Sequence, residues 1–300
     1  MTGMGKSRLI QSEIDILQRV SCNGTPNIVP LRECFEDEEN VYLVMDLCTG
    51  GDLYDRIQSR ETFYEEDAAD VIRSVLEAIE YLHTQGVVHR DIKPENILFK
   101  SPESSETLLT DFGLSKILPA QTSSTNLVHT TCGTLRYMAP EVLESQPHTG
   151  KPSDMWSLGV MTYFWLSGTF PFGGKNDYTL FANITCGRYT FEPKDVWEGI
   201  SDEAKDFISS LLVLDPQKRM TASKALHHAW IVEFASPPSP LPGLPPLPTR
   251  RESKNLVPQL ESTRSKFQTA VAAVMNAGSS ATTIAMGKLG SVKEDACKVM

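Results

Sequence analysis

The sequence predicts an α+β chain, a short mixed region followed by a larger, mainly helical one. Three observations predict it. Apolar residues recur at helical spacing over residues 7–20 and are followed by two strand-like runs, and from Asp52 onward the apolar period is mainly helical. The pattern stops abruptly at residues 236–248, where Pro237, Pro238, Pro240, Pro242, Pro245, Pro246 and Pro248 crowd together.

In order along the chain, Leu9, Ile10, Ile14, Ile16, Leu17 and Val20 mark a helix carrying Glu13, which ends before the Asn23-Gly24-Thr25-Pro26 turn. Residues 28–34 and 40–47 read as a strand pair joined by the acidic turn Glu36-Asp37-Glu38-Glu39. Residues 65–84 and 155–166 are the longest apolar-periodic segments, and helical patterns continue through 202–214 and 222–228 to Trp230. Four regions follow: 1–46, 47–233, a Pro-rich linker at 234–250 and a tail at 251–300. The linker reads as a semi-rigid polyproline-type spacer, or as a ligand for a proline-binding module. There are no internal repeats.

Three hundred residues with 40% hydrophobic content can bury a sizeable core. A net charge of −10 argues against a nucleic-acid surface and suits basic peptide substrates. Cys22, Cys34, Cys48, Cys132, Cys186 and Cys297 show neither C-x-x-C nor metal-ligand spacing, so a reducing, cytoplasmic compartment is expected. No run approaches 18 consecutive apolar residues, and residues 1–8 lack the apolar centre of a signal peptide.

The run His89-Arg90-Asp91-Ile92-Lys93-Pro94-Glu95-Asn96, followed fifteen residues later by Asp111-Phe112-Gly113, carries the chemistry. Phosphoryl transfer needs a carboxylate near the acceptor hydroxyl, positive charge on the migrating phosphoryl, and oxygens that hold magnesium. Asp91, Lys93, Asn96 and Asp111 supply these at the right separations. Either triplet alone would be an ordinary turn or solvated loop. Together, and in order with Ala139-Pro140-Glu141 and Asp154-Met155-Trp156, they are not accidental.

On these motifs the chain resembles the protein kinase superfamily over about residues 7–233. Within it the chain looks like the calcium/calmodulin-dependent Ser/Thr group, through Gly50-Gly51-Asp52-Leu53-Tyr54, Cys132-Gly133-Thr134, the run from Ser201 to Ile208, and Asp215-Pro216-Gln217-Lys218-Arg219. Lys93-Pro94-Glu95 reads as Ser/Thr rather than Tyr specificity. The resemblance implies a bilobal kinase fold whose small lobe is incomplete. It also implies transfer of the ATP γ-phosphate to protein substrates, with ATP and magnesium as cofactors.

By the same resemblance, Asp91 is the catalytic base or orienting carboxylate, and Lys93 places charge on the γ-phosphate. Asn96 and Asp111 hold magnesium, with Gly113 freeing Asp111 to swing into place. Met45, as gatekeeper, Leu98 and the backbone of Asp46 and Leu47 form the adenine pocket. Asp52 contacts the ribose. Glu95 stands beside the nucleotide and matches the acid that basophilic kinases direct at an arginine upstream of the target hydroxyl. Arg90 implies regulation by an upstream kinase, pairing with phosphate on Thr130, with Thr131 next in line. Thr134 matches a structural threonine near Asp91, Glu141 and Arg219 a buried ion pair, and Asp154 the acid that braces the catalytic loop.

One departure stands out. The Gly-rich loop and small-lobe lysine that the family places well before its regulatory glutamate, here Glu13, would fall before Met1. The expectation is an N-terminally truncated member with weak nucleotide binding, a marginal two-stranded small-lobe sheet and an exposed strand edge. Gly3-Met4-Gly5-Lys6-Ser7 is not a P-loop, because it lacks the first glycine and a preceding strand. The rival reading is a catalytically inactive kinase-like scaffold or calmodulin-binding module.

In the tail, Phe267, Val271, Val274 and Met275 form one apolar helix face, with Arg264 and Lys266 at its start. By resemblance this segment binds calmodulin or docks on the kinase lobe alone, the other reading being no stable helix, and two basic residues are few for a calmodulin target. The last four residues, Cys297-Lys298-Val299-Met300, fit a prenylation signal at Cys297 or match it by coincidence. With Glu294 and Asp295 beside it, one lipid would give a weak peripheral membrane association.

Overall fold

The computed structural model describes residues 4–21, 25, 27–37, 40–59, 64–118, 134–146 and 148–235. Thr130, the Pro-rich segment, the candidate tail helix and Cys297 lie outside the described residues.

Helix α1 spans Met4–Val20 and buries Ile14, Ile16, Leu17 and Val20 on one face. Glu13, half-buried, shares that face, three and four residues before Ile16 and Leu17. Strands β1 (Leu31–Glu36) and β2 (Val41–Met45) pair antiparallel as a two-stranded sheet, with Cys34 opposite Leu43 and an irregularity between Leu31 and Glu33. Phe35 and Tyr42 stack across the pair at 5.0 Å, and both, with Val44 and Met45, are exposed. β1 starts later than the hydrophobic pattern predicts. Ile28 bridges Leu109 and Val29 donates its N–H to the Leu109 carbonyl at 3.1 Å, so the first residues of the expected strand are diverted onto the larger lobe.

The larger lobe begins with α2 (Leu53–Ser59) and α3 (Glu65–Thr84), the latter on the predicted bounds. Glu65, Glu66 and Asp67 complement the helix dipole in the first turn of α3, and a stripe including Ala69, Ile72, Leu76 and Ile79 is fully buried. Short strands follow: β3 (Val87–Val88), β4 (Ile97–Phe99), β5 (Thr107–Leu109) and β6 (Lys116–Ile117), paired antiparallel as β3 with β6 and β4 with β5. α1 rests on β1 and β6, which seats it on the larger lobe's core.

Then come α4 (Pro140–Leu143), α5 (Lys151–Ser167), α6 (Asp177–Thr185), α7 (Lys194–Trp197), α8 (Asp202–Leu211), α9 (Ala222–Leu226) and α10 (Ala229–Phe234). α5 is buried nearly all round, which is why its sequence reads as a continuous apolar run rather than a stripe. Gly159 lets α8 approach it: a Cβ there would meet the Leu211 Cβ at 2.8 Å. Two polar clasps tie the lobe. Arg219 pairs bidentately with Glu141 at 2.7 and 2.9 Å, both side chains buried. Glu65 accepts from the Trp230 indole at 2.7 Å and from Ser201, joining α3 to α8 and α10.

Candidate active site

The loop from His89 to Asn96 leaves β3 with Arg90 at φ 69°, a left-handed turn that removes its backbone from any ladder. Its N–H groups therefore need side-chain acceptors. Asp154, in the first turn of α5, accepts from the N–H of His89 at 3.0 Å and of Arg90 at 2.8 Å. His83 on α3 approaches the same carboxylate at 2.9 Å through Nε2. Burial alone would raise the Asp154 carboxyl, but the hydrogen bond and charge of His83, with the loop N–H groups, hold it below the ordinary value. The Arg90 Nε donates to the Leu114 carbonyl at 2.5 Å, and the Ser115 hydroxyl to the His89 carbonyl at 3.2 Å, so the loop also grips the segment after Phe112.

Four side chains converge at its centre. Lys93 Nζ lies 2.7 Å from Asp91 Oδ2 and donates to Thr134 Oγ1 at 3.1 Å, while that hydroxyl reaches Asp91 Oδ1 at 3.3 Å. Asn96 donates from Nδ2 to the Asp91 carbonyl at 2.8 Å and to Oδ2 at 3.2 Å. This commits the amide nitrogen to Asp91 and leaves Oδ1 as the atom able to face a cation. Asn96 closes a turn of 3-10 helix, Pro94–Asn96, begun by a proline whose missing N–H costs nothing there.

Asp111 stands at the matching end of the neighbouring strand. Thr110 donates its N–H to the Asn96 carbonyl at 3.0 Å, so the β4–β5 pairing, with Ile97 opposite Leu109, sets Asn96 against Thr110, the residue before Asp111. The backbone freedom expected of Gly113 falls elsewhere: Asp111 itself has φ 62°, and its Oδ1 accepts the Gly113 N–H at 3.2 Å. One carboxylate and one amide oxygen suit a hard cation that keeps water and phosphate oxygens among its ligands. Among the described residues no group of three or more His, Cys, Asp or Glu could hold a metal unaided.

The expected nucleotide-pocket residues are partly gathered. Asp52 and Leu98 bridge across adjacent backbone, and Leu98 is half-buried. Asp52 also accepts the Asp55 N–H at 2.7 Å, capping α2, and burial pushes its carboxyl up. Met45 and Leu47 are exposed, Leu47 at 81%. The Asp46 N–H goes to the Pro30 carbonyl, while its side chain forms an exposed fork with Arg32 that lowers its carboxyl. Glu95 lies at the accessible rim. The surrounding protein raises its carboxyl, Asp91 and Asp52 add to the rise, and Lys93 opposes it.

The protein kinase domain family matches residues 2–231. The chain belongs to the protein kinase family. Its relatives place it in the calcium/calmodulin-dependent group. It is similar to calcium/calmodulin-dependent protein kinase type 1 of Macrobrachium nipponense, 48% identical over 228 residues that cover 76% of this chain and 63% of that one. It is also similar to calcium/calmodulin-dependent protein kinase type I of Schizosaccharomyces pombe, 44% identical over 270 residues covering 90% and 76%. Among solved structures it resembles the twitchin kinase region from C. elegans, with TM-score 0.75 and 30% identity over 92% of this chain and 44% of that one. The kinase therefore spans less than two thirds of the Macrobrachium protein.

Sequence reasoning missed His83 and Ser115, which hold the kinase loop from behind. Neither lies in a motif; a polar residue on the buried face of α3 was the only signal for His83.

Proposed function

We propose that this chain is a Ser/Thr protein kinase that transfers the ATP γ-phosphate to protein hydroxyls. The convergence of Lys93, Thr134 and Asn96 on Asp91 carries the reading. Asp91 orients the acceptor hydroxyl and takes its proton, while Lys93 neutralises charge on the migrating phosphoryl. Asn96 and Asp111 would hold magnesium, which would supply positive charge to the transferring phosphate. Met45, Leu98 and the backbone of Asp46 and Leu47 receive adenine, and Asp52 the ribose. Glu13 serves as the regulatory glutamate, and residues 1–46 and 47–233 act as the small and large lobes.

Glu95, accessible at the rim with Asp52 and Asp91 near it, suits a basic residue upstream of the target hydroxyl. Phosphate on Thr130, added by an upstream kinase, would pair with Arg90. Calmodulin binding by residues 263–277 is favoured by the names of the relatives, and a farnesyl group on Cys297 by the last four residues. No described helix is long and apolar enough to cross a membrane.

Phosphoamino-acid analysis of a basic peptide library incubated with the chain, ATP and magnesium tests this. Phosphoserine and phosphothreonine are expected; phosphotyrosine as the main product would contradict it.

A further inference from the structure

β1 and β2 make a sheet of only two strands, so each has an outer edge, and the two edges differ. Asp37 donates its N–H to the Asn40 carbonyl at 2.9 Å, and the pairs Phe35–Tyr42 and Glu33–Val44 continue in register from that closed turn. At the far end Asp46 donates to the Pro30 carbonyl at 3.2 Å. Successive residues of an antiparallel strand turn their peptide groups to alternate sides, so Tyr42, Val44 and Asp46 face β1. The N–H and C=O groups of Val41, Leu43 and Met45 then face outward, and among the described residues no backbone group takes them.

β1 carries Arg32, Glu33 and Glu36, the kind of charge that guards a strand edge against pairing, and α1 rests on it. β2 reads Val-Tyr-Leu-Val-Met, with no charge, proline or glycine, and none of its residues is fully buried. Tyr42 and Val44, each 40% exposed, stand on one face of it, where Phe35 stacks on Tyr42. An open, neutral edge of β-branched and aromatic residues, set beside a charged one, marks a pairing surface.

The charge pattern also selects the occupant. Two β2 strands laid antiparallel about Leu43 set Val41 against Met45 and Tyr42 against Val44 of the second copy, with Leu43 against its own counterpart. The next pair out sets Asn40 against Asp46, whose charge is already met by Arg32 at 2.7 Å. No like charges face one another. Each larger lobe joins its strand at the Met45 end, so antiparallel pairing sends the two lobes to opposite sides. From this self-complementarity we infer that β2 is an interaction surface for a second copy of this chain, forming a symmetric dimer with a continuous four-stranded sheet in the order β1-β2-β2-β1. The dimer is independent of the kinase reading. Backbone pairing along one short strand is a small interface, so the association is weak and reversible.

Sedimentation velocity of the full chain from about 1 to about 100 μM tests this, and the unaltered chain should pass from monomer to dimer across that range. Two double variants change only exposed side chains: Tyr42→Lys with Val44→Lys, and Tyr42→Glu with Val44→Glu. Each sets like charges against each other across the dimer and should weaken association at least about tenfold. An equimolar mixture of the two puts every lysine opposite a glutamate and should restore the dimer, which variants that had merely unfolded could not do. An unaltered chain that stays monomeric to about 100 μM, double variants that dimerise as the unaltered chain does, or a mixture that stays monomeric would overturn the inference.

Discussion

Replacing Arg219 with methionine tests how the larger lobe is held together. Arg219 is fully buried, paired with Glu141 by two hydrogen bonds of 2.7 and 2.9 Å, and donates further to the carbonyls of Pro152 at 2.7 Å and Val213 at 3.0 Å. Its guanidinium also lies 5.0 Å from the Trp156 ring centroid. The substitution leaves a buried carboxylate with no counter-charge, which costs about 3–5 kcal/mol. At about 2–4 °C per kcal/mol for a domain of this size, the melting temperature should fall by roughly 6–20 °C. Converting both partners, Glu141→Leu with Arg219→Met, removes the orphaned charge and leaves only the carbonyls of Pro152, Val213 and Leu214 without the guanidinium donor, a loss the single variant shares. The double variant should therefore be more stable than Arg219→Met alone, measured by urea denaturation followed by circular dichroism. A single-variant cost below about 1 kcal/mol, or a double variant whose loss equals the sum of the two single losses, would refute the reasoning.

Acid stability tests the loop brace. The Asp154 carboxyl lies below its unfolded value, so its contribution is complete above about pH 4 and is lost as pH falls through the lower folded value. Melting temperatures of the protein and of Asp154→Asn, followed down from about pH 5, should converge on the acid side; parallel curves would show that Asp154 is not the group responsible. At the α5–α8 contact, Gly159→Ala places a Cβ 2.8 Å from that of Leu211, and overpacking should cost about 1–3 kcal/mol in chemical denaturation, whereas an unchanged midpoint would mean that the helices part freely.

Most of the architecture was legible because its periods are long and its punctuation strong. α3 falls on the predicted bounds, and the helical pattern at 155–166 extends by a turn at its start, where Pro152 is tolerated near the first helical position. The strand pair was harder. Ile28 and Val29 look like the start of β1, yet a backbone bridge to Leu109 claims them, and such long-range pairing leaves no local trace. In the site, Asp91, Lys93, Thr134 and Asn96 were expected together and lie together. The supporting groups were not all legible, since His83 reaches Asp154 from 71 residues away. Nor could the sequence say that Asp111, rather than Gly113, takes the left-handed conformation, because aspartate tolerates it when its side chain bonds its own backbone nearby.

On the proposed reading Asp91 directs phosphoryl transfer, and incorporation of labelled phosphate from ATP into an arginine-bearing serine peptide, by the chain and by Asp91→Asn, tests it directly. Asparagine keeps the shape and the contact to Thr134 but cannot take the proton, so transfer should fall by about a hundredfold or more. Incorporation by the unaltered chain no greater than that by Asp91→Asn would contradict the account.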